Sequence, residues 1–234
     1  MDNMLKEVNT KTGIPTEKLK KEIKVMNCLG DVFGFAEKKI VLFGGTALNK
    51  IFFHEKQRLS YDVDLKCGNF SECLAIFGEK YERVIDSKIF TAFSNKDGVR
   101  IDLSKEDFRF KKIKMNAKSF FYYQGFETIA VNVITYEFEV LFAEKILAMS
   151  RRGTARDLYD TWIGRWSRLD EKKLLKYLIK LGNKKKVDSR FIITKFHQQD
   201  FDMSKLDHPL GKLDGKKMYQ EVQDFIKYLF FDKK

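Results

Sequence analysis

Hydrophobic and polar positions follow two different periods along this chain, and the change of period divides it. Between 40 and 134 the apolar runs are short. Ile40–Phe43 is continuously apolar, 61–65 and 99–103 alternate between apolar and polar residues, and further strand-like segments fall near 81–93 and as a pair around 119–133. Beyond 135 the apolar residues return at helical spacing. Phe138, Phe142, Ile146 and Met149 make one stripe, widened by Leu141 and Ala148, which leaves Glu137, Glu144, Lys145 and Arg152 toward polar surroundings. Segments 171–181 and 217–231 repeat that spacing, with Gly182-Asn183-Lys184-Lys185-Lys186 between them as a charged loop. Ahead of the strands, Pro15-Thr16 opens a helix whose face carries Leu19, Ile23 and Met26. The pattern predicts an α+β protein: a strand-rich part with its N-terminal helix over 1–134, then a mainly helical region over 135–234.

The chemistry concentrates where the first strands turn. Ile40–Phe43 runs into Gly44-Gly45-Thr46, after which Ala47, Leu48, Ile51 and Phe52 recur at helical spacing, so a helix starts near Thr46. The first amides of a helix have no partner within it and its dipole is positive at that end, which suits a phosphate. On the next strand stand Asp62 and Asp64. Alternation puts both on one face roughly 6.6 Å apart, with Val63 and Leu65 on the other. At an effective dielectric near 20 the two charges repel by roughly 2.5 kcal/mol, so the pair is favoured when cations neutralise it. Hard divalent cations take such oxygen ligands together with substrate phosphates. Arg58 and Ser60 share the strand parity of the aspartates and reach either the phosphate or the loop itself.

A third carboxylate is expected from Asp86, Asp97, Asp102 or Asp107. Asp102 is preferred because Val99-Arg100-Ile101-Asp102-Leu103 repeats the in-out pattern of 61–65. The competing reading makes it an edge-strand acid paired with Arg100 or Lys105. Asp97, in Asn95-Lys96-Asp97-Gly98, is a hairpin-turn residue by composition.

These residues resemble the AbiEii/AbiGii-type nucleotidyltransferases, toxins of abortive-infection and toxin-antitoxin systems within the polymerase-beta-like superfamily. Two segments carry the resemblance: Gly44-Gly45-Thr46-Ala47-Leu48 continuing through Arg58-x-Ser60-x-Asp62-x-Asp64-Leu65, and Glu144-Lys145-Ile146-Leu147-Ala148 followed by Arg151 and Arg156-Asp157-x-x-Asp160-x-Trp162. The resemblance implies a nucleotidyltransferase-fold mixed sheet flanked by helices, with the helical region completing the active site. It implies that Asp62 and Asp64 bind the metal, Mg2+ or Mn2+. Read from the residues themselves, Asp102 binds a second metal or deprotonates the acceptor hydroxyl, and Gly44, Gly45 and Thr46 hold the triphosphate of an NTP. Lys145 would contact its phosphates. A carboxylate of the second motif, Asp160 ahead of Asp157, would assist catalysis. Where relatives often carry an acid three positions before the motif lysine, this chain has Phe142. The acceptor implied is RNA (tRNA) or a protein, and a cognate antitoxin is implied as a partner. Read without the family, Lys145 is a solvated lysine, and Arg156 and Asp160, four apart, make a helix ion pair worth about 0.3 to 0.5 kcal/mol.

Composition narrows the alternatives. With 234 residues, 44% hydrophobic and 14% aromatic, the chain suits a globular protein of one or two domains. A formal charge of +12 favours an anionic partner such as nucleic acid. Cys28, Cys67 and Cys73 lack metal-ligand spacing and read as reduced cytosolic thiols. His54, His197 and His208 are too scattered for a zinc hydrolase. Neither a leader-like apolar segment nor an 18-residue apolar stretch occurs, so a cytoplasmic protein away from membranes is expected. Two other functions fit: a non-catalytic nucleic-acid or antitoxin-binding module, and a small-molecule nucleotidyltransferase of the antibiotic-modifying kind, which the basic charge disfavours because aminoglycosides are cations. The aromatic run at 119–126 beside Lys111, Lys112, Lys114 and Lys118 reads either as a buried strand with a wet edge or as a base-stacking surface.

Overall fold

The apolar run Ile40–Phe43 forms β1, near the middle of a seven-stranded sheet. In the computed structural model, residues 2–87, 90–106, 110–128, 130–185, 201, 203 and 206–232 are described, and the chain divides into two compact units, Met1–Glu137 and Phe138–Lys234. The other strands, all in the first unit, are β2 (Asp62–Cys67), β3 (Glu82–Asp86), β4 (Phe90–Ser94), β5 (Arg100–Lys105), β6 (Lys112–Lys118) and β7 (Ala130–Tyr136). Their spatial order is β3-β4-β5-β2-β1-β7-β6. β1 is antiparallel to β2 but parallel to β7, β2 is parallel to β5, and the remaining pairs are antiparallel, so the sheet is mixed.

Strand alternation builds the core. Val63 and Leu65 of β2 and Ile101 and Leu103 of β5 are buried on one face, which α2 (Thr16–Ala36) and α4 (Phe70–Gly78) cover. Phe93 of β4 lies in register with Ile101, and its ring meets Phe77 of α4 at 5.7 Å. Phe77 in turn meets Phe35 of α2 at 5.4 Å, edge to face. Asp62, Asp64, Lys66, Arg100 and Asp102 have the opposite parity and leave this core, as a period of two requires.

Several expected elements shift. The strand pair expected around 119–133 is β6 at 112–118 and β7 at 130–136, and the aromatic run between them is a 3-10 turn, Phe120–Gln124. Adjacent Phe120 and Phe121 are both buried, which a strand with one wet face cannot provide. The N-terminus folds as α1 (Asp2–Thr12), whose Leu5 and Val8 join Ile14, Leu19, Leu59, Phe120 and Phe121 in a second apolar cluster. The helix expected over 171–181 continues as α7 (Glu171–Lys185) through Gly182. Burial of Leu181 and Gly182 offsets the roughly 1 kcal/mol that a mid-helix glycine costs. Asp107, Lys186 and His197, and the side chains of Lys184 and Lys185, fall outside the described residues.

The second unit is helical: α5 (Phe138–Arg152), α6 (Ala155–Gly164), α7 and α8 (Gly215–Lys227). α5 packs on α6 and α7, and α6 packs on α8. A Cβ on Gly164 would lie 2.7 Å from Cδ2 of Phe142, so the glycine lets α6 close on α5. Among the described residues no helix is long and apolar enough to cross a membrane.

One buried polar hub ties the first unit together. Glu22 of α2 and Lys50, both fully buried, form an ion pair. Glu22 also accepts the backbone N–H of Ser60 at 3.2 Å and of Phe120 at 3.1 Å. Lys50 donates to Gln57 Oε1 at 2.9 Å. Burial presses the Lys50 pKa down, and Glu22 opposes that shift. Breaking such a pair leaves an uncompensated charge. Glu22→Ala should therefore destabilise the fold by about 3 to 5 kcal/mol, with Glu22→Gln costing less because it still accepts hydrogen bonds. Urea midpoints for both variants close to that of the parent protein would contradict this role.

Candidate active site

Sheet register brings together the acids that the sequence left in separate segments. In the parallel pair β2/β5, Asp62 is the Cα partner of Arg100 and Asp64 of Asp102. In-register residues of a parallel pair share a face, so the three aspartates and the arginine project together. β5 lies between β4 and β2, so Asp102 is not on an edge strand. The ion pair with Arg100 is nevertheless present, with Arg100 Nε 2.6 Å from Asp102 Oδ1. That hydrogen bond, with the charges of Asp102, Asp62 and Asp64, raises the Arg100 pKa. Arg100 is thus a counter-charge on the acidic face, paired directly with Asp102, and its i, i+2 spacing from Asp102 was the sequence signal for it. Asp86 sits on β3, bonded to Arg83 at 2.9 Å and to Thr91 at 2.8 Å, three strands away from β2. Asp97 occupies the turn, where Asn95 Oδ1 accepts from the Asp97 and Val99 amides, both at 2.9 Å.

The glycine turn abuts this face directly. β1 ends at Phe43, the register partner of Asp64, and the chain enters a helical turn, Gly44–Ala47, that continues as a π-helical turn, Leu48–Phe52. The helix therefore starts two residues before Thr46. Gly44 has φ +69, and a Cβ there would lie 2.8 Å from the Asp64 Cγ. The Thr46 hydroxyl donates to the Asp62 carbonyl at 2.8 Å, fastening turn to strand. Asn49 extends the brace by donating to the Gly45 carbonyl at 2.9 Å and accepting the Arg58 N–H at 2.8 Å. Arg58 is buried and donates to the Leu59 carbonyl at 3.0 Å. Ser60 is buried as well, and its Oγ has no hydrogen-bond partner among the described residues. The bracing residues Glu22, Asn49 and Lys50 escaped the sequence reading, because isolated polar residues within apolar helical patterns do not announce their partners.

The second motif forms its own cluster in the helical unit. Lys145 of α5 is only 5% exposed, and its Nζ lies 3.0 Å from both Asp157 Oδ1 and Asp160 Oδ2, two fully buried carboxylates of α6. It is not solvated: the polar surroundings toward which helical phase directs it are these two buried carboxylates. Phe142, one turn earlier, is buried and stacked on Phe138 with centroids 5.3 Å apart. Asp157 also accepts from Arg152 Nε at 2.7 Å and Nη2 at 2.9 Å, and from the Thr154 hydroxyl at 2.8 Å. Burial would raise its pKa, but the Arg152 hydrogen bonds and the Lys145 and Arg152 charges hold it well below the usual carboxylate range. The Thr154 hydroxyl caps α6 by accepting the Asp157 N–H at 3.2 Å. Asp157 is therefore the anchor of the α5–α6 junction, and Asp160 is the second acid on the lysine.

The donor set can be weighed against a divalent cation. Among the described residues no group of three His, Cys, Asp or Glu side chains is placed to hold a metal ion. Asp62, Asp64 and Asp102 share one sheet face, and carboxylate oxygens are the ligand type that Mg2+ takes in company with substrate phosphates.

The mixed sheet, with helices on its apolar face and acids on the other, is the nucleotidyltransferase fold. The structure of MenT4, a nucleotidyltransferase toxin from Mycobacterium tuberculosis, superposes with a TM-score of 0.66 at 15% identity, covering 93% of this chain and 86% of that one. JHP933 from Helicobacter pylori superposes with a TM-score of 0.52 at 16% identity, covering 92% and 93%. No curated protein sequence matches this chain significantly. The family profile described as "Nucleotidyl transferase AbiEii toxin, Type IV TA system" matches residues 28–227, and the chain belongs to that family of toxin nucleotidyltransferases.

Two outcomes follow from this geometry. Gly44→Ala should cost about 1 to 3 kcal/mol in backbone strain and displace Asp64. Unchanged urea stability together with unchanged activity would refute the close-approach role. For Asp157 the folded pKa lies below the unfolded one, so its contribution is complete above about pH 4 and is lost as pH falls through the folded value. Asp157→Asn should lower stability at neutral pH and flatten the stability–pH curve below about pH 4. Parallel acid limbs for variant and parent in urea unfolding would show that Asp157 does not drive that slope.

Proposed function

We propose that this chain is an Mg2+- or Mn2+-dependent nucleotidyltransferase that moves a nucleoside monophosphate from an NTP to a hydroxyl of RNA, tRNA foremost, with release of pyrophosphate. The observation that carries this reading is the register of Asp62, Asp64 and Asp102 on one sheet face, abutted by the Gly44 turn. The acceptor oxygen bonds to the α-phosphorus, the bridging oxygen between the α and β phosphates leaves with pyrophosphate, and the hydroxyl proton passes to a carboxylate. A divalent cation bound by the aspartates would neutralise the phosphates and polarise the α-phosphoryl group.

Each residue has an assigned part. Asp62 and Asp64 hold the cation, and Asp102 joins them or accepts the proton. Gly44, Gly45 and Thr46 receive the triphosphate through backbone amides, since the Thr46 hydroxyl is engaged by the Asp62 carbonyl. The Ser60 hydroxyl, without a hydrogen-bond partner among the described residues, is assigned to the nucleotide, while buried Arg58 braces the loop through the Leu59 carbonyl. Lys145 is assigned to phosphate charge, with Asp160 holding its ammonium. The surplus of Lys and Arg over Asp and Glu, 45 against 33, favours an anionic acceptor over a cationic small molecule. Membership of a type IV toxin family supports a cognate antitoxin as partner. The three buried free thiols suit a reducing cytoplasm, with burial pushing the Cys28 pKa up to about 12.

Incubation with Mg2+, each α-labelled NTP in turn and total tRNA should label RNA with a preferred nucleotide. Asp62→Asn should reduce labelling by more than about 100-fold, because losing even an outer-shell partner of a metal costs roughly 10- to 100-fold. Lys145→Ala should also lower transfer. A folded, fully active Asp62→Asn variant would overturn the assignment, and label on protein in place of RNA would change the acceptor.

A further inference from the structure

The aromatic run at 119–126 divides by chemistry. Phe120 and Phe121 are buried in the cluster with Leu19 and Leu59, whereas Tyr122 is 42% exposed and Tyr123 half-buried. Their rings meet edge to face at 5.1 Å. His54, exposed at the start of the 3-10 turn His54–Lys56, adds a third ring. Its Nδ1 lies 3.0 Å from the Tyr123 hydroxyl and its ring centroid 5.7 Å from that of Tyr123. Among the described residues His54 is the non-glycine with positive φ, at +49, so the backbone holds this imidazole in an unfavoured conformation. Lys118 Nζ sits 3.9 Å from the Tyr122 ring centroid. Further back along β6 and its approach, Lys111, Lys112 and Lys114 are engaged by Glu137, Glu106 and Glu37.

The patch is tied to the acidic strand. One Glu22 oxygen accepts the N–H of Phe120, two residues before Tyr122, and the other accepts the N–H of Ser60, two residues before Asp62. A single buried carboxylate therefore holds both the tyrosine turn and the approach to the aspartates. The exposed Tyr122 and His54 rings and the half-buried Tyr123 ring, beside a lysine, offer aromatic surface to any base and a charge to its phosphate, the chemistry that grips unpaired nucleotides. A protein-docking patch would present an apolar centre, and here the phenylalanines point inward.

We propose that Tyr122, Tyr123 and His54 form a stacking platform, with Lys118 as its phosphate counter-charge, for unpaired nucleotides of the acceptor RNA. This rests on the RNA-acceptor reading above. The test is fluorescence anisotropy of a short labelled single-stranded RNA with the full chain, alongside binding of a labelled NTP as a control for the fold. Tyr122→Ala and Tyr123→Ala should weaken RNA binding at least about fivefold without changing its salt dependence or NTP binding, and Tyr122→Phe should bind like the parent. Lys118→Ala should reduce the slope of log affinity against log salt by about 0.7. Alanine variants that bind RNA as the parent does, or a Tyr122→Phe variant as weak as Tyr122→Ala, would overturn the platform. So would alanine variants that leave RNA affinity intact but abolish labelling of a protein acceptor. Tyrosine-dependent RNA binding by a chain that transfers no nucleotide would keep the platform and sink the transferase reading. Undiminished transfer to RNA by the alanine variants would do the reverse.

Discussion

The Glu22 carboxylate is the constraint on which the first unit depends. It is fully buried, as is the Lys50 ammonium it faces, and it accepts two backbone amides from segments far apart in the chain, Ser60 and Phe120. Burying two charges carries a desolvation cost of several kcal/mol per ion, recovered only when the remaining hydrogen-bonding capacity is filled. Gln57 and the two amides fill it. The result is a loop between α-helical turn and β2 held from inside, so the strand that follows enters the sheet in a single register.

Register then decides the electrostatics. A slip of one residue would turn Asp62 and Asp64 into the core and bring Val63 to the surface. With β2 fixed, Asp64 lies beside Asp102 and under Gly44, and Arg100 offsets part of the collected charge. The aspartates repel one another and gain nothing for folding by standing together. Their arrangement is tolerated because Arg100 and solvent offset the repulsion. Gly44 is indispensable at its position on two counts, the left-handed backbone and the carboxylate that fills the space of a Cβ.

In the helical unit, a lysine with two buried carboxylates replaces the solvated lysine that periodicity alone suggests. Asp157 is shared by Lys145, Arg152 and the Thr154 cap, so it joins the end of α5 to the start of α6. Asp160 completes the lysine's environment. Buried charges of this kind are costly when incomplete, which explains why one motif contains two acids with different tasks.

The sequence by itself determined the division into a strand-rich and a helical part, the Gly44 turn, and the alternation that sends Asp62 and Asp64 to one face, since all of these follow from local periodicity and backbone sterics. It also offered Asp102, because the in-out pattern of β5 copies that of β2. It misjudged the aromatic run as a strand, since two adjacent buried phenylalanines followed by exposed tyrosines look apolar throughout when only composition is visible. The tertiary structure alone decided the partners. That Glu22 meets Ser60 and Phe120, that Lys145 is buried against Asp157 and Asp160, and that Arg100, beyond its neighbour Asp102, also answers Asp62 and Asp64 are pairings between residues 12 to 98 apart. Long-range burial selects such pairings, because an ionic group removed from water must find its counter-charge wherever the fold brings one, and no local pattern records where that is.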